Sequence, residues 1–249
     1  MAYFRGNLIC ASLFTGNYDV NRSEMLQGDN FQLIEKWCRS IQSLDLKGVV
    51  FHNSFSEETI RANQLTGIEF VAVDFNTPLS ANAYRYLVYV DFLKKYQNQL
   101  ENVFFTDIAD VEVVKNPFDV PFYDENSDSI FCGDEEEILD NPWMNEHSNH
   151  LRNLIPEFKD FEEKNKNQPL LNCGIIGGKI ELMVQLMQEL SRIHSTYTVT
   201  NKTPYTLDMG AFNFVMRTQF ADQIIHGFPV NTRFKCYEST REDCWFRHK

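Results

Sequence analysis

Short apolar runs alternate with helical periodicities along this chain, and that alternation is the strongest restriction on its fold. The runs are NLICASLF (7–14), VVFHN (49–53), IEFVAV (68–73), NVFFTD (102–107) and, more weakly, SIFCGDEEE (129–137). Each has the length of a buried strand, and none approaches the ~18 apolar residues of a membrane span. Between them, Phe31, Ile34, Trp37 and Ile41 recur every three or four positions, the period of an amphipathic helix. Ser80 to Gln97 is helical in period behind Pro78, and Ile180 to Ile193 places Met183, Met187 and Leu190 on one apolar side. Asp208 to Phe220 reads as another helix. LLNCGIIGGK (170–179) reads as strand, turn and helix start after an irregular polar stretch, and the C-terminal part as short strands and loops. Strands alternating with helices predict an α/β layer fold with a mostly parallel central sheet flanked by helices. Without repeats or a low-complexity linker, one domain over residues 1–249 is the simplest organisation.

Charge narrows the ligands. The 249 residues carry 23 Lys and Arg against 35 Asp and Glu, a net of −12. Such a field repels phosphate backbones and anionic lipid, which argues against nucleic acid and membrane surfaces as partners. A phosphate-bearing ligand then needs a metal or a few placed cations. The six cysteines have no C-x-x-C and no regular spacing, and read as reduced, mostly packed thiols. The N-terminal apolar stretch is too short for a secretory signal core, so a cytoplasmic location is expected.

In open parallel sheets ligands sit at the carboxyl ends of strands. That rule selects Thr15, Asn53, Asp107 and Asn172, which follow apolar runs. The most informative stretch is FFTDIADVEVVKNPF (104–118). Its apolar strand delivers Asp107, and Asp110 follows three residues later. Two carboxylates at a strand-to-loop junction suit a hard dication such as Mg²⁺ or Mn²⁺, which would clamp a diphosphate. An isolated D-x-x-D also fits a turn cap beside a solvated acid.

The segment TDIADVEVVKNPF is similar to the TD-x-x-DV-x-hydrophobic-x-x-x-PF form of a group of viral, bacterial and eukaryotic glycosyltransferases. The chain as a whole resembles glycosyltransferases of the GT-A fold, a single Rossmann-like domain. Matching segments run in order from FTGNYDVNR (14–22) to the final His248 and Lys249. The resemblance implies a nucleotide-sugar donor, UDP- or GDP-linked, a glycan or glycoside acceptor, and Mn²⁺ or Mg²⁺. It differs from plain D-x-D in having two residues between the carboxylates, which leaves open which one binds metal directly. SANAYRYLVYVDFL (80–93) looks like the helix whose Arg faces the donor, here Arg85. Asn172 and Gly174, with Gly177 and Gly178, resemble the segment lining the sugar pocket. Asp208 matches the carboxylate beside sugar and acceptor. His248 would complete the metal shell and Lys249 meet the diphosphate, with His226 a rival ligand. Likeness of Asn172 and Asp208 to retaining enzymes such as glycogenin leans toward retention of configuration; an inverting reaction would need Asp208 as base.

Other functions fit less well. A sugar-phosphate nucleotidyltransferase would want a Gly-rich basic loop where TGNYDVNR stands. A dehydrogenase lacks its G-x-G-x-x-G, and the D-x-D-x-T of a haloacid-dehalogenase-type phosphatase fails at Ala109. A non-catalytic carbohydrate- or nucleotide-binding protein of the same fold is the remaining alternative. The acidic run Asp134 to Glu137 reads as a solvated loop, with a place at the border of the acceptor cleft as the alternative.

Overall fold

The computed structural model describes residues 4–16, 18–19, 24–63, 65–198 and 208–249. Parts of the 14–22 and 206–216 segments lie outside the described residues. In chain order the structure has β1 (Gly6–Leu13), the two-residue strands β2 (Tyr18–Asp19) and β3 (Glu24–Met25), then α1 (Glu35–Ser43) and β4 (Gly48–His52). Next come α2 (Glu57–Ala62), β5 (Ile68–Ala72), α3 (Ala81–Tyr96), β6 (Leu100–Thr106) and β7 (Val111–Val113). After α4 (Pro121–Glu125) and β8 (Ile130–Ile138), three short helices follow: α5 (Pro142–His147), α6 (Asn149–Leu154) and α7 (Phe158–Asn165). The last elements are β9 (Pro169–Lys179), α8 (Ile180–Ile193), α9 (Asp208–Gln219), β10 (Ile224–His226) and β11 (Phe246–His248).

The fold is α/β. Seven strands form one sheet in the order β10-β8-β9-β6-β1-β4-β5. Pairs β1–β4, β4–β5, β1–β6 and β10–β8 are parallel, while β9 runs antiparallel to both β6 and β8. From β1 the chain builds outward through β4 and β5, then returns to place β6 on β1's other side. Lateral direction therefore reverses at β1 and β6, and the crevice at their carboxyl ends is where such a sheet accepts a ligand.

Side-chain alternation along β6 shows how the strands acquire two buried faces. Val103 and Phe105 point into the core shared with α3, α8 and α9, and Phe104 into the core shared with α1, β7 and β11. Helix α1, preceded by a 3₁₀ turn at Phe31–Leu33, buries Trp37, and the indole Nε1 donates to Thr106 Oγ1 at 2.7 Å. That bond fixes the end of β6 one residue before Asp107. Ser80 caps α3 by accepting from the Ala83 amide, and Met183, Met187 and Leu190 of α8 are fully buried as their period predicts.

Two sequence expectations are corrected. LLNCGIIGGK is one continuous strand, β9, with no turn inside it. Its glycines make room: a Cβ at Gly177 would lie 2.1 Å from the Phe104 ring, so the ring lies across the bare backbone of its neighbour. The acidic run 134–137 is the outer half of β8, not a solvated loop, and Asp134 is buried. The stretch 165–169, read as irregular, is the turn from the end of α7 into β9, and three short helices that the sequence did not announce precede it; Asn141 caps α5, accepting from the Met144 amide, with Pro142 behind it. Such one- to two-turn helices carry too few apolar positions for periodicity to register.

Five of the six cysteines are buried, and none is bonded to another. Among the described residues no helix is long and apolar enough to cross a membrane.

Candidate metal and ligand site

A cavity of about 890 Å³ opens at the carboxyl ends of β1 and β6. It is lined by Asp107, Asp110, Asp208 and the Glu135–Glu137 row, with Arg85, Lys235 and Lys249 as its cations. Acidic groups outnumber basic ones there, so an anionic ligand entering alone would be repelled.

Asp107 follows β6 directly, and its amide donates to the Gly174 carbonyl at 2.7 Å, which continues the β6–β9 ladder past the strand end. Its Oδ1 accepts from Arg85 Nη1 at 2.5 Å. Arg85 is buried on α3, and its Nη2 also reaches Cys173 Sγ at 3.3 Å and Asp208 Oδ2 at 3.4 Å. A guanidinium in that position stays charged and binds two carboxylates through separate nitrogens. Burial pushes the Cys173 thiol well up, so it contributes no negative charge.

Asp107 Oδ2 faces His248, whose Nε2 is 4.0 Å away. His248 belongs to β11, which pairs antiparallel with β7, His248 opposite Val111. Its amide donates to Thr232 Oγ1 at 2.9 Å, and the Lys249 amide to the Asp110 carbonyl at 3.1 Å. The tail is therefore a strand held at both of its last residues. The imidazole is 1% exposed, and burial pulls its pKa down to about 4, ahead of the opposing pull of Asp107. It is neutral at pH 7, which makes the 4.0 Å approach to Asp107 no ion pair. Neither ring nitrogen has a hydrogen-bond partner among the described residues. A buried unpartnered nitrogen costs about 1–3 kcal/mol, and neutral imidazole is the form that ligates metal.

Asp107, Asp110 and His248 each offer a ligand atom, and those atoms lie within 4.8 Å of one another. Gly174 explains the space between them. A Cβ there would stand 2.5 Å from His248 Cε1, 2.6 Å from Asp107 Oδ2 and 2.9 Å from Asn172 Oδ1. Two carboxylates, one neutral imidazole and a space kept clear by a glycine fit Mn²⁺ or Mg²⁺; the imidazole favours Mn²⁺.

Asn172, within β9, has its Oδ1 accepting from the Gly174 amide at 2.7 Å and its Nδ2 donating to Glu135 Oε1 at 2.8 Å. Its amide is thus used to orient neighbours. Asp208, buried in the first turn of α9, lies behind Arg85. Lys249 lines the cavity, with its side chain beside Lys36 and Glu112. Contact with Lys36 and then burial hold the Lys249 ammonium below the usual lysine value.

Thr15 and Asn53 do not line this cavity. Asn53 Oδ1 accepts from the Thr15 amide at 2.9 Å and its Nδ2 donates to the Thr15 carbonyl at 2.8 Å. The pair clips the ends of β1 and β4, a role that strand-end position alone does not separate from ligand binding. His226 is likewise apart from the metal group: its Nδ1 lies 3.1 Å from Asp134 Oδ2. Glu135, read from sequence only as part of the acidic run with a place at a cleft border as the alternative, lines the cavity. Burial raises its pKa, outweighing the Asn172 hydrogen bond and the nearby Lys235. The uniform acidic run carried no local signal for it, since burial grades from Asp134 outward only once β8 pairs with β9. Trp143, partly exposed on α5 and stacked on His147 with centroids 4.0 Å apart, completes one wall.

No protein-family model matches this chain, and neither does any curated protein in a sequence comparison.

Proposed function

We propose that the chain is a metal-dependent glycosyltransferase of the GT-A type, moving a sugar from a UDP- or GDP-sugar to a hydroxyl acceptor. The observation that carries this reading is the Asp107, Asp110 and His248 group at the sheet's crevice. Its members come from two segments far apart in the chain, and its buried neutral imidazole has no hydrogen-bond partner among the described residues. The cavity volume lies within the range that small-molecule ligands occupy.

Asp107, Asp110 and His248 would hold Mn²⁺ or Mg²⁺, which when bound supplies positive charge for a diphosphate and its departure. Arg85 holds Asp107 by one oxygen and turns the other toward His248. Gly174 leaves the room between the ligands, and Asn172 fixes the neighbouring carboxylate. Asp208 balances the buried guanidinium from behind. Lys249 lines the cavity and would meet a phosphate oxygen.

The test is calorimetric titration of UDP in the presence of Mn²⁺. Asp110→Ala is expected to weaken Mn²⁺-dependent UDP binding at least about a hundredfold, close to 2.7 kcal/mol, with an unchanged unfolding midpoint. Unchanged affinity in that variant defeats the metal assignment. Release of UDP or GDP from a panel of nucleotide sugars supports transfer. Pyrophosphate made from a nucleoside triphosphate and a sugar phosphate would mean a nucleotidyltransferase. Thermal stabilisation by UDP and Mn²⁺ without release would mean a binding protein.

A further inference from the structure

The carboxylates around the cavity have unequal tasks. Asp107 and Asp110 belong to the cation group, and Asp208 answers Arg85. Glu136 and Glu137 are exposed on the outer part of β8. Glu135 is half-buried on the cavity wall and is held by a side chain that is itself held. The Gly174 amide can only donate, so it fixes Asn172 Oδ1 toward itself and leaves Nδ2 to grip Glu135 Oε1. The point where a Cβ on Gly174 would stand is within 2.9 Å of Asn172 Oδ1, Asp107 Oδ2 and His248 Cε1. Glu135 is therefore one amide group away from the atoms that surround the candidate cation site, on the wall of the same cavity.

We propose that Glu135 is the catalytic base that takes the proton from the attacking hydroxyl, so that transfer inverts the configuration at the anomeric carbon. This assignment rests on the glycosyl-transfer reading above and replaces both Asp208 as base and the lean toward retention. In the step, the acceptor oxygen forms its bond to the anomeric carbon while the bond from that carbon to the diphosphate breaks. The electron pair of the broken bond stays on the phosphate oxygen. The hydroxyl proton passes to the Glu135 carboxylate and then to solvent as the products leave. Attack from the face opposite the leaving group requires a base on that face, whereas a front-face route hands the proton to the leaving phosphate. Burial keeps Glu135 more basic than a surface glutamate, which suits the task.

Water can stand in for the acceptor, so the experiment needs no identified glycan. UDP-glucose, UDP-galactose, UDP-N-acetylglucosamine and GDP-mannose are incubated with the full chain and Mn²⁺. Nucleotide release is followed together with the first anomer formed, by proton NMR. The α-linked donors are expected to give the β-sugar first. Glu135→Gln is expected to lower kcat at least about a hundredfold, the usual worth of a general base, with Mn²⁺–UDP affinity within about threefold of wild type. Glu135→Asp should recover part of the rate. An α-sugar appearing first overturns the proposal. So does a Glu135→Gln enzyme that keeps its turnover, or one that loses turnover and UDP affinity together. A wild-type chain that neither binds Mn²⁺–UDP nor releases nucleotide from any donor overturns the transfer reading itself, and this assignment with it.

Discussion

The ends of β6 and β8 deliver carboxylates into one cavity, but they anchor them with opposite polarity. At β6 the buried charge is the cation: Arg85 is 9% exposed at its side chain, while Asp107, which it holds, is 35% exposed. At β8 the buried charge is the anion. Asp134 is 2% exposed, and its partners His226 and Arg233 are 30% and 54% exposed. Asn231 adds a hydrogen bond at 3.4 Å, and a Cβ on Gly227 would press within 2.8 Å of the carboxylate. In each case the next group outward, Asp110 or Glu135, faces the ligand space. The comparison teaches that an acidic cavity wall needs a rigid ionic footing, and that the footing, not the wall, is where stability is concentrated.

The strongest way to break that comparison is Arg85→Met. It leaves Asp208 buried without its counter-charge, and removing one member of a buried pair costs about 3–5 kcal/mol. Urea unfolding should show that loss, together with loss of Mn²⁺ binding; a variant that kept full stability would mean that Asp208 is not dependent on the guanidinium. Asp134→Ala should cost less, about 1.5–3 kcal/mol, because its partners His226 and Arg233 are exposed enough to rehydrate. Mn²⁺ affinity should stay within threefold in that variant. If it fell as far as in the Asp110 variant, the two strand ends would have to be treated as one site.

The smallest effect sharpens the β6 side. His194 is fully buried with its ring stacked on Tyr86, centroids 5.1 Å apart, and burial and then Arg85 push its pKa down from 6.5 to about 3. The unfolded chain therefore binds a proton there that the folded chain refuses between those values. Stability must rise with pH across that window and fall as pH drops below 6.5, by roughly 1.4 kcal/mol per pH unit for one histidine. His194→Gln should lower the slope of unfolding free energy between pH 6.5 and 5, measured in EDTA, by roughly 1.4 kcal/mol per pH unit at most, leaving the share of His248, which burial also keeps neutral. An unchanged slope would remove His194 from the account.

The parallel half of the sheet was legible in the chain because β1, β4 and β6 bury both faces, which writes them as short apolar runs. Helix α8 was read to its observed limits because Met183, Met187 and Leu190 lie on one buried stripe. The other half was harder. Three glycines in ten residues look like turn chemistry, yet in β9 Gly177 accommodates the Phe104 ring and Gly174 accommodates Asp107 and His248, while Gly178 lies against the Ser129 carbonyl, contacts with no local signature. Asp107, Asp110 and His248 were expected as a group from family resemblance, and the structure brings their ligand atoms together. Asp134 and Glu135 were not separable from a hydrophilic loop, because their different burial depends on β9 lying alongside.

Strand β9 touches β6 on one edge and β8 on the other, with Gly174 beside atoms from Asp107 and His248. No local stretch of chain can assemble that neighbourhood. Long loops must close and the reversed middle strand must dock before the three donor atoms converge. A cation seated among them would therefore act as a late-stage latch, sensing completed tertiary order in a way that a contiguous chelating loop never does.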